Sequence, residues 1–393
     1  MGFLFNSNAK AGIPHPDSPQ RRHERPTLPA AGELRPISAG SAEDKRQCLS
    51  RLMYWISYIG QVWSVCLPKF SVIIVNFNGG EYVQNALNSL SRQSERDFEV
   101  ILVDNASEDG SVDALNLDGL PAFRLEKQSE NLGFAGGNNL GAHLAAGEWL
   151  ALLNPDAFAR DDWLAELRRA TERHPDTKVF ASAQVNLHDP TLLDGVGDAY
   201  LAYGFPWRGG FCRPVSELPG EGECFTPCGA AALFQRDVYL QHGGFDERFF
   251  CFCEDVDLGF RLQLSGERCI FIPTALVEHA GGALSGQTSD FTIYHGYRNR
   301  IWVYGKNMPL PLLIMTLPGN VAMHFYLLLR AAMTGRFAIA WRGVRDGVLR
   351  LREIRASAQW PAPKRRRSVI SLARAMNWNP FMMSAHRPHV SVF

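Results

Sequence analysis

The chain lacks an excess of charge of either sign, an internal repeat and a recognisable signal peptide. Its 40 Lys and Arg residues balance 40 Asp and Glu residues among 393, so no global basic field favours nucleic acid as a partner. No signal peptide with an acceptable cleavage site is visible, which favours a reducing, cytosolic setting. The length favours one large domain of roughly 200–250 residues with appendages.

The sequence also lacks a zinc-binding arrangement of its eight cysteines. Zinc sites usually combine CxxC pairs at set spacing, whereas Cys224 and Cys228 form CxxxC and Cys251 and Cys253 form CxC. We therefore predict reduced, structural thiols. Disulfides are the alternative only in an oxidising compartment.

Composition divides the chain into three parts. Residues 1–68 are predicted to be a disordered leader, because up to Arg51 they are rich in Pro, Ser, Arg and Ala and poor in large apolar side chains. Within them, Leu52–Leu67 is an uncharged run that is short for a membrane span and favours an interfacial or packing helix. A translation start downstream of residue 52 would explain the leader equally well. Residues 69–306 form the predicted main domain, and 307–393 a helical, basic tail.

Strands and helices alternate from Phe70 onward. Ser71–Asn76, Glu99–Val103 and Trp149–Leu153 are continuous apolar runs that predict buried strands, and Ser107–Leu115 predicts a capped helix. Such alternation favours an α/β fold with a mostly parallel, Rossmann-like sheet covered by helices on both faces. The long Gly- and Pro-rich stretch 186–224 favours a functional loop region.

Polar residues follow the predicted strands where ligands bind in open α/β sheets, beyond the carboxyl ends of the strands. Asp104 can accept hydrogen bonds from a base or ribose, although a plain turn residue before a Ser107 cap is the alternative. Asp156, aimed outward after Pro155, can hold Mg²⁺ or Mn²⁺ together with a substrate diphosphate. His279 is a candidate second ligand, with a structural histidine as the alternative.

Three carboxylates crowd into the segment FFCFCEDVDL. Glu254, Asp255 and Asp257 favour either the N-terminus of a helix, where acids suit the dipole, or a base in a cleft that takes a proton from a hydroxyl nucleophile.

The tail contains the uncharged stretch Leu310–Leu329, followed by arginines and by the basic run Lys364–Arg367. Pro311, Pro318 and Gly319 predict interruptions, so two pieces lying on a membrane surface fit best. A helical hairpin packed on the domain and a true span are the alternatives.

The motifs that carry a family resemblance are, in order, VIIVNFNGG, VDNASEDGS, NLGFAGGNN, LNPD, GGFDERFF, EDVDLGFRL and VEHAGG. Together they resemble the family 2 glycosyltransferases of GT-A fold, and most closely the rhamnosyltransferase-like and galactofuranosyltransferase-like branch of bacterial cell-surface polysaccharide synthesis. The resemblance covers residues 70–306. It implies inverting transfer from a nucleoside diphosphate sugar to a lipid-linked or polysaccharide acceptor, with a divalent cation, Mg²⁺ or Mn²⁺. The tail predicts that the enzyme acts at the cytoplasmic face of the cell membrane, where a lipid-linked acceptor would be found.

The resemblance also implies roles for single residues. Asn76 and Asp104 would contact the nucleotide, and Asn138 would lie near the donor. Asp156 matches the second acid of a DxD motif that binds donor and metal, His279 a metal-ligating histidine, and Asp255 the catalytic base. Glu254, Asp257 and Trp207 are acceptor-side candidates. Two departures are Asn154, where a DxD motif has its first Asp, and the cysteines Cys251 and Cys253, where bulky apolar residues are expected.

Two other functions have weaker support. A sugar-nucleotide nucleotidyltransferase would carry basic residues directly after the first strand, and Asn76–Glu81 contains none. A non-catalytic saccharide-binding descendant would be free to lose the carboxylates, and all of them are present.

Overall fold

The computed structural model describes residues 67–281, 289–356 and 367–393. The predicted leader 1–68 therefore lies almost wholly outside the described residues, and of the basic run 364–367 only Arg367 is described. The described residues belong to one compact unit that spans 66–393.

A central mixed sheet organises this unit. Its strand order is β13-β10-β12-β6-β11-β4-β1-β2-β3, with β5 paired to β12 and β7 to β6. Six strands, β3, β2, β1, β4, β6 and β12, run in one direction, and β11 is reversed between β4 and β6. The bounds of the sheet strands are β1 Phe70–Asn76, β2 Phe98–Asp104, β3 Phe123–Lys127, β4 Trp149–Leu153, β5 Ala157–Ala159, β6 Val179–Asn186, β7 Leu193–Gly195, β10 Gly222–Cys224, β11 Ala231–Gln235, β12 Cys269–His279 and β13 Ser391–Val392. A separate hairpin is formed by β8 Asp198–Leu201 and β9 Phe205–Arg208.

Helices cover both faces of the sheet, and the predicted α/β architecture is confirmed. Phe70, Val72 and Ile74 of β1 pack into the core on one face, and Ile73 and Val75 pack into the core on the other. A strand buried on both faces needs apolar residues at every position, which explains the continuous apolar runs. The α-helices are α1 Glu81–Ser91, α2 Gly133–Leu144, α3 Trp163–Arg173, α4 Arg236–Gln241, α5 Glu254–Ser265, α6 Asp290–Asn307, α7 Leu310–Met333, α8 Phe337–Leu349, α9 Leu351–Ala356, α10 Val369–Ala375 and α11 Pro380–Ser384.

The predicted helix Ser107–Leu115 is wrong, because this segment forms turns. Its polar side chains make hydrogen bonds with residues at and just after the ends of β1 and β2, and they do not cap a helix. The Ser107 hydroxyl donates to Asp104 (2.6 Å) and accepts from the Asn78 backbone N–H (2.9 Å). Ala106 and Gly110 adopt positive φ, 59° and 73°, which a right-handed helix does not allow.

The predicted interruption of Leu310–Leu329 is also wrong, because α7 is continuous through Pro318. Tertiary contacts hold the helix on both sides of the proline. The Thr316 hydroxyl lies 2.9 Å from that of Tyr304 in α6, and the Asn320 amide donates to the Tyr203 carbonyl (2.7 Å). Gly319 permits this approach, since a Cβ there would lie 2.4 Å from the Tyr203 ring.

The C-terminal region returns to the central sheet. Strand β13 pairs with β10 at the sheet edge, and Asn377 exchanges backbone hydrogen bonds with Tyr200 and Ala202 of the β8–β9 hairpin region. The part after residue 307 therefore completes the structure around the sheet.

Candidate active site

A cleft at the carboxyl ends of the parallel strands consists of two adjoining cavities. The larger cavity, about 620 Å³, is lined by Asp156 and His279 among others, and the smaller, about 260 Å³, by Asp255 and Trp207 among others. The two cavities share the lining residues Phe134, Asn154, Arg208, Cys251 and Phe252.

Strand pairing brings Asp156 and His279 together in the larger cavity. Asp156 directly precedes β5, which pairs with the end of β12 so that Ala157 faces His279. The His279 Nε2 atom lies 3.3 Å from Asp156 Oδ1, and the Nδ1–H donates to Asp194 Oδ2 (2.7 Å). Arg208 donates to the same Asp194 oxygen (2.6 Å).

Asp194 determines how His279 can act. Burial raises the pKa of this carboxyl, but the hydrogen bond from His279 and the charge of Arg208 outweigh burial and lower it. The carboxylate therefore holds the Nδ1–H and leaves Nε2 facing Asp156. A histidine backed by a carboxylate in this way is the usual form of a metal-binding imidazole.

These residues fit a divalent cation. An imidazole nitrogen and a carboxylate oxygen converge, and Oδ1 of Asn154, beside them, is buried without a hydrogen-bond partner in the described part of the chain. With a diphosphate supplying further oxygens, this set matches the ligands that Mg²⁺ and Mn²⁺ prefer. Asp194 was missed in the sequence because nothing in the stretch 186–224 distinguishes it from a loop acid.

Asp255 lies in the first turn of α5 at the wall of the smaller cavity. Its Oδ2 accepts from the Gly229 backbone N–H and its Oδ1 from that of Val256, both at 2.8 Å. Burial raises the pKa of Asp255, and the two backbone N–H groups oppose the rise. A carboxylate with a raised pKa is a better proton acceptor at neutral pH.

Glu254 also lines the smaller cavity and has only 4% of its surface exposed. Burial, followed by the charge of Asp255, raises its pKa well above the usual range. Its Oε2 has no hydrogen-bond partner among the residues described. Burial therefore disfavours the charged form of Glu254 beside Asp255.

The segment before α5 is strained and held by α6. Phe250, Phe252 and Cys253 have positive φ of 66°, 71° and 66°, which side-chain-bearing residues rarely adopt. The Asn299 amide donates to three carbonyls of this segment, those of Phe249 (3.1 Å), Cys251 (2.9 Å) and Phe252 (2.7 Å). The position of Asp255 thus depends on Asn299, a residue that no sequence motif marked.

Asn76, Asp104 and Asn138 are buried and do not line the cleft. Asn76 donates to Asp104 Oδ1 (3.0 Å) across the ends of β1 and β2, and Asn138 donates to the Phe134 carbonyl one turn earlier in α2 (2.9 Å). Their expected contacts with the donor stay predictions. Asn105 and Gly133 line the larger cavity in their place.

Asp257 was expected on the acceptor side, and the structure places it elsewhere. It is fully buried, is absent from the lining of the cleft, and accepts hydrogen bonds from Arg261 (2.9 Å), Lys306 (2.9 Å) and Asn307 (2.7 Å). The Asp257 carboxylate satisfies three buried donors. Through Lys306 and Asn307 it joins α5 to α6. Trp207, by contrast, lines the smaller cavity, with its indole N–H donating to the Arg387 carbonyl (3.0 Å).

Asp198, at the start of β8, is a third residue that sequence reasoning missed. It lines the smaller cavity, and ligand atoms of Asp198, Cys228 and Asp255 lie within 4.8 Å of one another. Burial, followed by the charge of Asp255, raises the pKa of Asp198 well above the usual range.

Comparisons with known proteins agree with this geometry. Residues 71–242 match the family model "Glycosyl transferase family 2". N-acetylglucosaminyl-diphospho-decaprenol L-rhamnosyltransferase of Mycobacterium tuberculosis is 30% identical over 294 residues, 67% of this chain and 93% of that protein. The O-antigen biosynthesis protein RfbC of Myxococcus xanthus is 31% identical over 54% of this chain and 17% of its own length.

Solved structures with lower similarity include S. aureus TarS, 18% identical, with a TM-score of 0.48 over 65% of this chain. This chain spans less than half of that TarS chain, 43%. The mannosyltransferase PcManGT from Pyrobaculum calidifontis is 17% identical with a TM-score of 0.47 over 74% of this chain and 88% of its own. The family model and the rhamnosyltransferase relative establish the family without the solved structures. The chain belongs to glycosyl transferase family 2 and is a glycosyltransferase.

Proposed function

We propose that this glycosyltransferase moves a sugar from a nucleoside diphosphate donor to a hydroxyl of a lipid-linked acceptor, with inversion at the anomeric carbon. The observation that carries the proposal is the pairing of two cavities, one with the Asp156–His279 pair and the other with Asp255. The donor diphosphate would occupy the larger cavity and the acceptor the smaller one. Their shared wall is where the anomeric carbon would meet the hydroxyl.

The proposed reaction is a single displacement. Asp255 accepts the proton of the acceptor hydroxyl as its oxygen bonds to the anomeric carbon, and the nucleoside diphosphate leaves from the opposite face. Asp156 and His279 hold the divalent cation, Mg²⁺ or Mn²⁺, which when bound supplies the positive charge that a leaving diphosphate requires. The strained segment and Asn299 keep Asp255 in place. No covalent enzyme intermediate is needed.

The name of the Mycobacterium tuberculosis relative supports rhamnose as the sugar and a polyprenyl diphosphate N-acetylglucosamine as the acceptor. The decisive experiment follows release of nucleoside diphosphate from a panel of sugar nucleotides, with a short-chain form of that lipid as acceptor. We expect dTDP-rhamnose to be used fastest. Release that never depends on the lipid acceptor, or that no donor supports, would contradict the proposal.

We place the enzyme at the cytoplasmic face of the cell membrane, bound peripherally through α7. The outward face of this helix carries the exposed apolar residues Leu310, Ile314, Leu317, Val321, Phe325, Leu329 and Met333. Its buried residues are Leu312, Ala331 and three polar residues, Thr316, Asn320 and His324. A helix that faces water has the opposite arrangement, so an apolar surrounding suits α7 better.

Charge supports an anionic lipid surface as the partner. Arg330, Arg342, Arg345 and Arg350 are exposed at the end of α7 and along α8. Each basic side chain near an anionic leaflet contributes about 1 kcal/mol to binding.

A peripheral position suits the helix packing better than a span, although by length and composition α7 could cross a membrane. Helix α7 lies alongside α6, where the Tyr297 hydroxyl donates to the Leu327 carbonyl (3.0 Å). Helix α8 returns to α6, where the Trp302 indole donates to the Gly347 carbonyl (3.1 Å). A spanning α7 would carry the charged residues of α6 and α8 into the bilayer, at a cost of several kcal/mol each.

A further inference from the structure

The smaller cavity contains a carboxyl group that the proposed displacement does not use. Asp198 faces Asp255 across this cavity, within the 4.8 Å that also includes Cys228. Its Oδ1 is buried and makes no hydrogen bond to any residue that the structure describes. A bound ligand with a hydroxyl can offer this carboxyl the hydrogen-bond partner that the protein does not supply.

A metal ion is a poor candidate for this ligand. Burial raises the pKa of the Cys228 thiol to about 12, which disfavours the thiolate form that binds a cation. An ion held by Asp255 would also occupy the oxygens that the proposed reaction needs for the proton. A saccharide hydroxyl has neither difficulty, because a carboxyl can accept its hydrogen bond or donate to it.

The β8–β9 hairpin presents Asp198 together with Arg208. The two residues face each other across the hairpin and share one of its faces, whereas Trp207 faces Ala199 on the other face and packs with it in an apolar cluster. Asp198 and Arg208 both line the smaller cavity. A carboxyl and a guanidinium side by side supply hydrogen-bonding groups that suit the hydroxyls of a sugar ring.

We propose that Asp198 is an acceptor-binding residue, which hydrogen-bonds a ring hydroxyl of the acceptor sugar. The inference rests on the proposed function and deepens it. Two carboxyls this close can engage one hydroxyl together or two neighbouring hydroxyls of one ring. Asp255 takes the proton of the attacking hydroxyl, and Asp198 selects the ring position that attacks.

The same hairpin connects this subsite to α7. Its turn binds α7 through the Tyr203 carbonyl and Asn320 (2.7 Å), and the Phe205 ring lies 4.7 Å from that of His324. Strands of four residues span roughly 13 Å. The hairpin therefore holds Asp198 roughly 13 Å from α7, the helix with the exposed apolar face. This separation suits an acceptor sugar whose lipid stays in the membrane.

The test compares Asp198→Ala and Asp198→Asn, with Asp161→Asn as a matched control at an exposed surface carboxylate. The donor is dTDP-rhamnose, and the acceptor probe is N-acetylglucosaminyl diphosphate on a short prenyl chain. We expect Asp198→Ala to raise the acceptor KM by about 10- to 100-fold, because one satisfied hydrogen bond is lost. Asp198→Asn keeps a donor and an acceptor and should stay within a few-fold of wild type.

Stability separates binding from folding. Removal of an unsatisfied buried carboxyl should leave the melting temperature of both variants equal to that of wild type or higher. An acceptor KM that is unchanged in Asp198→Ala would overturn the inference. Loss of turnover in Asp198→Asn at an unchanged KM would also overturn it, and would make Asp198 the base. If wild type releases no nucleoside diphosphate from any donor, the proposed function itself fails.

Discussion

Helices α1 and α7 are both amphipathic, but they differ in what they expose. Helix α1 exposes polar residues, whereas α7 exposes a row of large apolar side chains. Helix α1 buries Val83, Leu87 and Leu90 against the sheet and exposes Asn85 and Asn88. Its burial pattern is that of a helix between a protein core and water.

Helix α7 buries the polar residues Thr316, Asn320 and His324 together with Leu312 and Ala331, and exposes a row of large apolar residues. Thr316 and Asn320 bond to protein groups, whereas Phe325 and Met333 are 63% and 87% exposed. Periodicity alone shows that a helix has two faces. Which face the protein covers depends on whether the polar face finds hydrogen-bond partners, as it does here on Tyr304 and Tyr203.

The comparison predicts that chemistry and membrane binding are separable, and Asp255→Asn should separate them with the largest effect. An asparagine cannot accept the proton, so turnover should fall by about 10²–10⁴. Donor binding and sedimentation with anionic liposomes should not change. Because burial raises the pKa of Asp255, its charged form is lost at a higher pH than that of an ordinary aspartate, and kcat/KM of wild type should fall as the pH decreases through that range. Activity of Asp255→Asn within a few-fold of wild type would remove Asp255 from this role.

Apolar truncations in the two helices should have different consequences. Leu87→Ala in α1 should destabilise the fold by about 2–5 kcal/mol, measured by chemical denaturation. The double variant Val321→Ala, Phe325→Ala in α7 should fold as well as wild type. It should bind liposomes at least tenfold more weakly, since each large apolar side chain contributes about 1.5–3 kcal/mol when buried. If the α7 variant lost stability and kept its liposome binding, α7 would be a packing element.

Residues of the sheet region, and not those of α7, should determine how binding of the nucleoside diphosphate depends on the metal ion. Asp156→Ala should weaken binding of the nucleoside diphosphate by about 10- to 100-fold in the presence of Mn²⁺, and should have little effect in chelator. Calorimetric titration in both conditions measures this difference. Asp194→Asn should weaken binding of the nucleoside diphosphate by a similar factor, because the His279 ring loses the carboxylate that holds it. Full wild-type activity in excess chelator would mean that side chains alone neutralise the diphosphate.

The strained segment offers a sharper test of the sheet region. Asn299→Asp is nearly isosteric but replaces an amide donor with an acceptor that faces three carbonyls. It should cost about 1–3 kcal/mol of stability and lower kcat, since Asp255 loses its fixed position. The matched control is Asn85→Asp on the exposed face of α1, which should change neither quantity. Unaltered kcat in a folded Asn299→Asp variant would show that the segment keeps its conformation without the clamp.

Removal of basic side chains on α8 should have the smallest effect, a modest loss of liposome binding. Arg342→Gln with Arg345→Gln should weaken liposome binding by about 1 kcal/mol per residue at low salt, and less at high salt. Liposomes without anionic lipid should show no difference between variant and wild type. Equal binding to anionic liposomes would assign these arginines to ordinary surface solvation.

Much of the catalytic architecture could be predicted from the sequence, because it depends on local patterns. Continuous apolar runs such as Val72–Val75 identify strands buried on both faces, and polar residues after them identify the ligand-binding edge. Asp156, His279, Asp255 and Trp207 were predicted in this way or by resemblance, and the structure brings all four to one cleft.

Other features only the tertiary structure decided, because they depend on partners distant in sequence. Asp194, Asp198 and Asn299 are ordinary polar residues until folding places His279, Asp255 and the Phe249–Cys253 carbonyls beside them. Asp257 carries the same motif signal as Asp255, but Lys306 and Arg261 bind it on the far side of α5. The sequence by itself determined which side chains stand at the strand ends and that α7 is amphipathic. Burial and hydrogen bonding across the fold decided which carboxylates face the cleft and which face of α7 stays exposed.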